Sequence, residues 1–140
     1  MVRVYRAACW VQVGALGLIA LSTFGRWARS GRRWRNSYEL FGVAERLGVT
    51  SRFVSDLMRL WVLVPAAIGA ALVAFAFGHP RLGAALGFVI GVTAVGCSLA
   101  VRARPLRVGI GTTFTLVGGI LAVVTGLAVT LAPRRMEVRP

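Results

Sequence analysis

The chain has 140 residues, of which 57% are hydrophobic and only 15% charged, yet its formal net charge is +13. That apolar fraction, with a mean hydropathy of +0.75, excludes a disordered basic tail and a soluble nucleic-acid binder, both of which need polar sequence to stay in water. All 17 cationic side chains are arginine.

In chain order, four stretches are long and apolar enough to cross a hydrocarbon core about 30 Å thick, which takes roughly 20 helical residues. They cover residues 7–24, 57–77, 82–101 and 108–132, and Arg59, near the start of the second, is the one charged residue within them. Backbone groups in lipid must bond internally, as a helix or a closed barrel. A barrel strand alternates apolar and polar residues, and these stretches are continuously apolar. The expected fold is all-α: one integral-membrane domain over residues 1–140, a bundle of four transmembrane helices with one long basic loop, residues 25–56.

The first stretch follows Arg3 and Arg6 and ends near Ala20-Leu21-Ser22, a combination that resembles a cleavable signal peptide. Its length exceeds the roughly 7–15 residues of a signal-peptide apolar core, so it is read as a retained helix. Trp10, Trp27, Trp34 and Trp61 all fall near span ends and are expected to form an interfacial aromatic belt.

Four spans place both termini and the link Gly78-His79-Pro80-Arg81 on one face, with the long loop and residues 102–107 on the other. The terminal face then holds six arginines and the loop face eleven. Basic residues in short loops stay in the cytosol, which places the long loop there and the protein in the plasma membrane as a multi-pass chain. The Arg3/Arg6 flank, read as a signal anchor, gives the opposite orientation.

The long loop opens with Arg26, Arg29, Arg32, Arg33 and Arg35 interleaved with Trp27 and Trp34. Arg26, Arg29, Arg32, Arg33, Arg35 and Trp34 are the candidate contacts for anionic lipid headgroups or a partner protein, each cation near a membrane surface contributing about 1 kcal/mol. Nucleic acid is not the expected partner. A short amphipathic helix follows: Asn36 is a good N-cap with Glu39 three residues on, Leu40, Phe41, Ala44 and Leu47 form one stripe, and Gly48 is the stop. Thr50 or Ser51 can cap a helix running directly into the second span.

Residues 43–57 also resemble a helix-turn-helix, with Ala44 at the crossing, Gly48 in the turn and Val54 and Leu57 packing back. That reading lacks a third helix, and its second helix enters the bilayer. Gly83, Gly87 and Gly91 put three glycines on one face of the third span, and Gly118, Ala122 and Gly126 repeat the pattern in the fourth, as do Ala66, Ala70 and Ala74 in the second. Small residues let backbones approach closely enough for dispersion contacts that lipid cannot match. Thr112, Thr113, Thr115, Thr125 and Thr130 could line a polar path or bond back to carbonyls of their own helix.

The carboxylates Glu39, Glu45, Asp56 and Glu137 and the lone His79 show no acid–base or metal-ligand spacing, so neither catalytic residues nor a cofactor or metal is expected. Cys9 and Cys97 start and end different spans at opposite leaflets, too far apart for a disulfide. The succession of a first helix, Trp27, Ser30-Gly31, Arg35-Asn36-Ser37-Tyr38-Glu39-Leu40, Arg46-Leu47-Gly48 and a second helix with Val64-Pro65 resembles a family of small four-helix membrane proteins of actinobacteria. The resemblance implies the fold and a cell-envelope setting; that family has no assigned activity, and no catalytic residue carries over. The expected function is a non-enzymatic accessory or scaffold subunit, in contact with lipid and with other membrane proteins or itself. A small channel or carrier and a membrane-tethered regulator are the alternatives.

Overall fold

A computed structural model describes residues 2–30, 33–46, 52–104 and 107–132. The order is α1 (Val2–Thr23), β1 (Ala28–Ser30), β2 (Arg33–Arg35), α2 (Ser37–Arg46), α3 (Arg52–Ala76), α4 (Pro80–Arg102), β3 (Arg107–Val108) and α5 (Ile110–Leu131). Four of these helices, α1, α3, α4 and α5, are long and apolar enough to span a membrane. They begin or end within a few residues of the expected spans, except at the start of α1, where the helix runs on through Arg3 and Arg6. α3 begins at Arg52, as a helix running directly into the second span should. Backbone hydrogen bonding continues beyond the apolar stretch wherever nothing interrupts it, so hydropathy marks the slab and not the helix.

The chain is mostly helical, as expected, and three short strands add an antiparallel sheet in the order β2-β1-β3. Its registers are Ala28↔Arg35, Arg29↔Trp34 and Ser30↔Arg33 on one side of β1, and Ala28↔Val108 and Arg29↔Arg107 on the other. The sheet therefore draws the α4–α5 link onto the long loop at one end of the molecule. At the other end the Arg81 guanidinium donates to Ala132 O (2.8 Å), joining the start of α4 to the end of α5.

The α3–α4 turn is legible residue by residue. Gly78 has φ +74°, and His79 N donates to Ala74 O (2.8 Å) while Gly78 N donates to Phe75 O (3.2 Å). Those two bonds are the Schellman pair that closes a helix over a left-handed glycine. Pro80 then opens α4, where its missing N–H is no loss.

α4 packs on α5 and α3, and α5 packs on α1. The buried side chains include Leu16 and Ile19 of α1, Trp61, Ile68 and Ala71 of α3, Ile90 and Ala94 of α4 and Ala122 of α5. Outward residues are also apolar, Leu21, Phe24, Phe77 and Leu131 among them. An apolar exterior on four long helices is what a lipid solvent requires.

Candidate functional site

The sheet and α2 convert the long loop into a folded platform at one end of the helices. α1 closes with Gly25 N donating to Ser22 O (3.0 Å), and a Cβ on Gly25 would come within 3.3 Å of Gly111 Cα. The chain then threads against the start of α5: Gly111 N donates to Arg26 O (2.8 Å), Gly109 N to Trp27 O (2.6 Å), and Trp27 N to Arg35 O (2.9 Å). Thr112 Oγ1 adds a bond to Trp27 O (2.8 Å). A Cβ on Gly109 would collide with Arg26 O and press on the Trp34 ring (3.1 Å), so this crossing requires glycine.

Trp27 is fully buried, and its Nε1 donates to Ser22 O (2.8 Å). Its ring meets Phe41 edge-on at 5.5 Å and Trp61 at 5.1 Å, and Phe41 meets Trp61 at 5.9 Å. Such pairs contribute about 0.5–1.5 kcal/mol each beyond burial. The belt expectation is thus corrected for Trp27 and Trp61, which form the aromatic core beneath the platform, while Trp10 and Trp34 are exposed. Indole rings near a span end go inward when a folded loop covers them.

α2 starts as its sequence indicates, with Glu39 N donating to Asn36 Oδ1 (2.9 Å). Leu40 and Phe41 are buried under it, and Ser37 Oγ donates to Thr23 O (2.7 Å), tying α2 to the end of α1. Leu47, Gly48, Thr50 and Ser51 lie outside the described residues. So does the turn of the helix-turn-helix reading, whose second helix is the start of α3 and continues to Ala76.

Residues paired across strands project to the same face of a sheet, and neighbours along a strand alternate. Arg29, Trp34 and Arg107 therefore share one face, and Ala28, Arg33, Arg35 and Val108 the other. On the second face Ala28 is fully buried while Arg33 and Val108 are exposed. The candidate cluster of Arg26, Arg29, Arg32, Arg33, Arg35 and Trp34 is split accordingly. Arg26 and Arg33 are exposed, Arg29 is half-buried, and Arg35 is half-buried with an Nε that meets no partner among the described residues. Arg32 lies outside the described residues. Arg107, from a separate loop, joins Arg29 and Trp34; the linear sequence offers no sign of that pairing, because β3 is only two residues long. Nearby, Arg59 meets Glu45 at 3.5 Å, both exposed, and Arg102 donates to Thr113 Oγ1 (2.9 Å).

The small residues are taken up within the chain. A Cβ on Gly83 would approach the Phe75 ring of α3 to 2.7 Å, one on Gly87 would collide with the Gln12 amide of α1, and one on Gly91 would lie 2.8 Å from Gly119 O of α5. On α5, Gly118 faces Ile19 and Ala15 of α1, and Gly126 faces Ala84 and Phe88 of α4. Ala122 is fully buried, against the Gly91 position. In α3 the pattern differs from expectation: Ala66 and Ala70 are exposed and Ala74 is buried.

Gln12 escaped the sequence reading. It is fully buried inside α1, where Thr125 Oγ1 of α5 donates to its Oε1, and its Nε2 has no partner among the described residues. A single glutamine in an otherwise apolar run is the signal that could have found it. Of the threonines of α5, Thr115 donates to Gly111 O (2.9 Å) and Thr130 to Gly126 O (2.7 Å), each one turn back along the helix, whereas Thr112 and Thr125 bond across to Trp27 O and the Gln12 amide. Cys9 and Cys97 are free thiols.

Compared with family models, curated proteins and solved structures, the chain finds no match.

Proposed function

We propose that this chain is a non-enzymatic, multi-pass protein of the plasma membrane, a four-helix transmembrane bundle that acts as an accessory or scaffold subunit. The observation that carries this reading is the folded platform. Four apolar helices end in a hydrogen-bonded sheet, an aromatic core and a surface helix, so the basic end has a fixed shape that a partner or a headgroup layer can recognise. A loop that served only to connect two spans would not need Trp27, Phe41 and Trp61 locked together. The glycine run is occupied by contacts within the chain, so it is not the surface offered to other molecules.

The eleven arginines of the loop end of the sequence, against six elsewhere, support a cytosolic orientation for that end. Reporter fusions after Leu47 and at the C-terminus test orientation: a cytosolic signal from the first and the opposite compartment for the second are expected. Signals from the same compartment would break the four-span reading. Purification in mild detergent should return a co-purifying membrane protein or lipid, and recovery of the bare monomer alone would sink the scaffold role.

A further inference from the structure

We infer that α3 pairs with the α3 of a second copy of this chain, side by side and parallel, along an outward stripe of Asp56, Arg59, Leu63, Ala66, Ala70 and Val73. The inference rests on the four-span reading above and names one partner for the proposed scaffold. The small residues of α4 and α5 are met by neighbours within the chain, whereas Ala66 and Ala70 of α3 are exposed. A Cβ on Gly69, beside them, would meet nothing within 4 Å. α3 packs chiefly on α4, which leaves one side of it open.

The stripe advances in alternating steps of three and four residues, the repeat of a coiled-coil seam, and all six of its side chains are exposed. Any helix covered on one side shows outward residues at that spacing, so the spacing establishes only that they share a face. The residue types decide the occupant. Alanines at mid-depth let two backbones approach closely enough for contacts that lipid tails do not match, with Leu63 and Val73 packing on either side of them. The outward faces of α4 and α5 carry larger side chains at that depth, Val89, Val92, Val117, Ile120 and Val124 among them. α1 has an open glycine, Gly14, but its outward end carries Arg3 and Arg6, which a second copy would bring against their own like charges.

Charge selects a second copy as the partner on α3. Asp56 is the one carboxylate in the four long helices, and it shares the stripe with Arg59. Two copies inserted the same way into one membrane meet about a two-fold axis along the membrane normal, so every contact occurs twice. Helical side chains lean toward the N-terminus of their helix, which carries Arg59 toward the level of the partner's Asp56. The ion pair then forms in both directions. Arginine has donors to spare, so Arg59 keeps its contact with Glu45 (3.5 Å) and still reaches across.

The test uses the full chain with Cys9→Ala and Cys97→Ala, reconstituted in lipid vesicles with one new cysteine and oxidised with copper phenanthroline. Ala66→Cys and Ala70→Cys should yield disulfide-linked dimers, and Val89→Cys and Val124→Cys, on the outward faces of α4 and α5, should not. Energy transfer between labelled copies, followed as added lipid dilutes them, measures association. Asp56→Arg or Arg59→Asp alone should weaken it by about fivefold, and the double swap Asp56→Arg/Arg59→Asp should restore it. Ala70→Leu, which holds the helices apart, should weaken it by about tenfold. Cross-links at Val89→Cys or Val124→Cys as strong as those on α3 would mean random encounter and overturn the pair, as would a double swap no better than either single variant. Near-ultraviolet dichroism of the buried Trp27/Trp61 pair monitors folding, and Ala70→Leu, on an outward surface, serves if the charge variants unfold. Extraction of the wild type by alkaline carbonate would instead overturn the membrane reading, whereas an embedded chain that stays monomeric in these vesicles would overturn this pair alone.

Discussion

Gly91→Ala is the most direct test of how α4 and α5 hold together. The added Cβ would lie 2.8 Å from Gly119 O and 3.0 Å from both Ala122 Cβ and Val123 Cγ2. Ordinary contact begins near 3.4 Å, so the two helices must part by about 0.6 Å. Gly119 O belongs to the backbone of α5 and cannot rotate aside as a long side chain would. A gap of about 0.5–1 Å forfeits a quarter to a half of the dispersion well for every atom pair along the seam. Overpacking of this kind costs about 1–3 kcal/mol. Gly14→Ala and Gly69→Ala are the controls, because a Cβ at either position meets nothing within 4 Å. There the usual helical advantage of alanine, about 0.5–1 kcal/mol, should stabilise or leave the protein unchanged. Reversible unfolding in mixed micelles by increasing dodecyl sulfate, followed by tryptophan fluorescence, measures all three. A Gly91→Ala protein as stable as wild type, beside a destabilised Gly14→Ala, would refute the packing argument.

Three further outcomes follow from the geometry. A double-mutant cycle of Gln12→Leu and Thr125→Val should return a favourable coupling of about 0.6 kcal/mol in the same unfolding assay, the usual size of a hydrogen bond between helices in a membrane; no coupling would dissolve the α1–α5 link. Asn36→Ala removes the acceptor for Glu39 N and should weaken α2 by about 1 kcal/mol, seen as faster amide exchange across Ser37–Arg46 with α5 unaffected. Trp27→Phe keeps an aromatic ring but loses the bond to Ser22 O, at about 0.5–1.5 kcal/mol, whereas Trp27→Ala also empties the aromatic core and should cost about 3–5 kcal/mol. Equal stability of those two variants would contradict the assignment of Trp27 as the core of the platform.

The amino-acid sequence by itself determined the four apolar helices, the Gly78–Pro80 turn and the Asn36 cap of α2. Each depends on chemistry within a few residues: continuous hydropathy, a glycine before a proline, an amide side chain three positions ahead of an N–H. It also marked Gly83, Gly87, Gly91, Gly118, Ala122 and Gly126 as small enough for close approach. Only the tertiary structure decided which neighbour each one meets, and that the glycines of α4 face α3, α1 and α5 in turn. The same holds for the inward turn of Trp27 and Trp61, the burial of Gln12 and the division of the arginines between two sheet faces. Those features arise from pairing between segments far apart in the chain. Arg107 has no mark of its own in a two-residue strand; it acquires a place beside Arg29 and Trp34 because backbone bonds at Trp27, Gly109 and Gly111 bring the two loops into register.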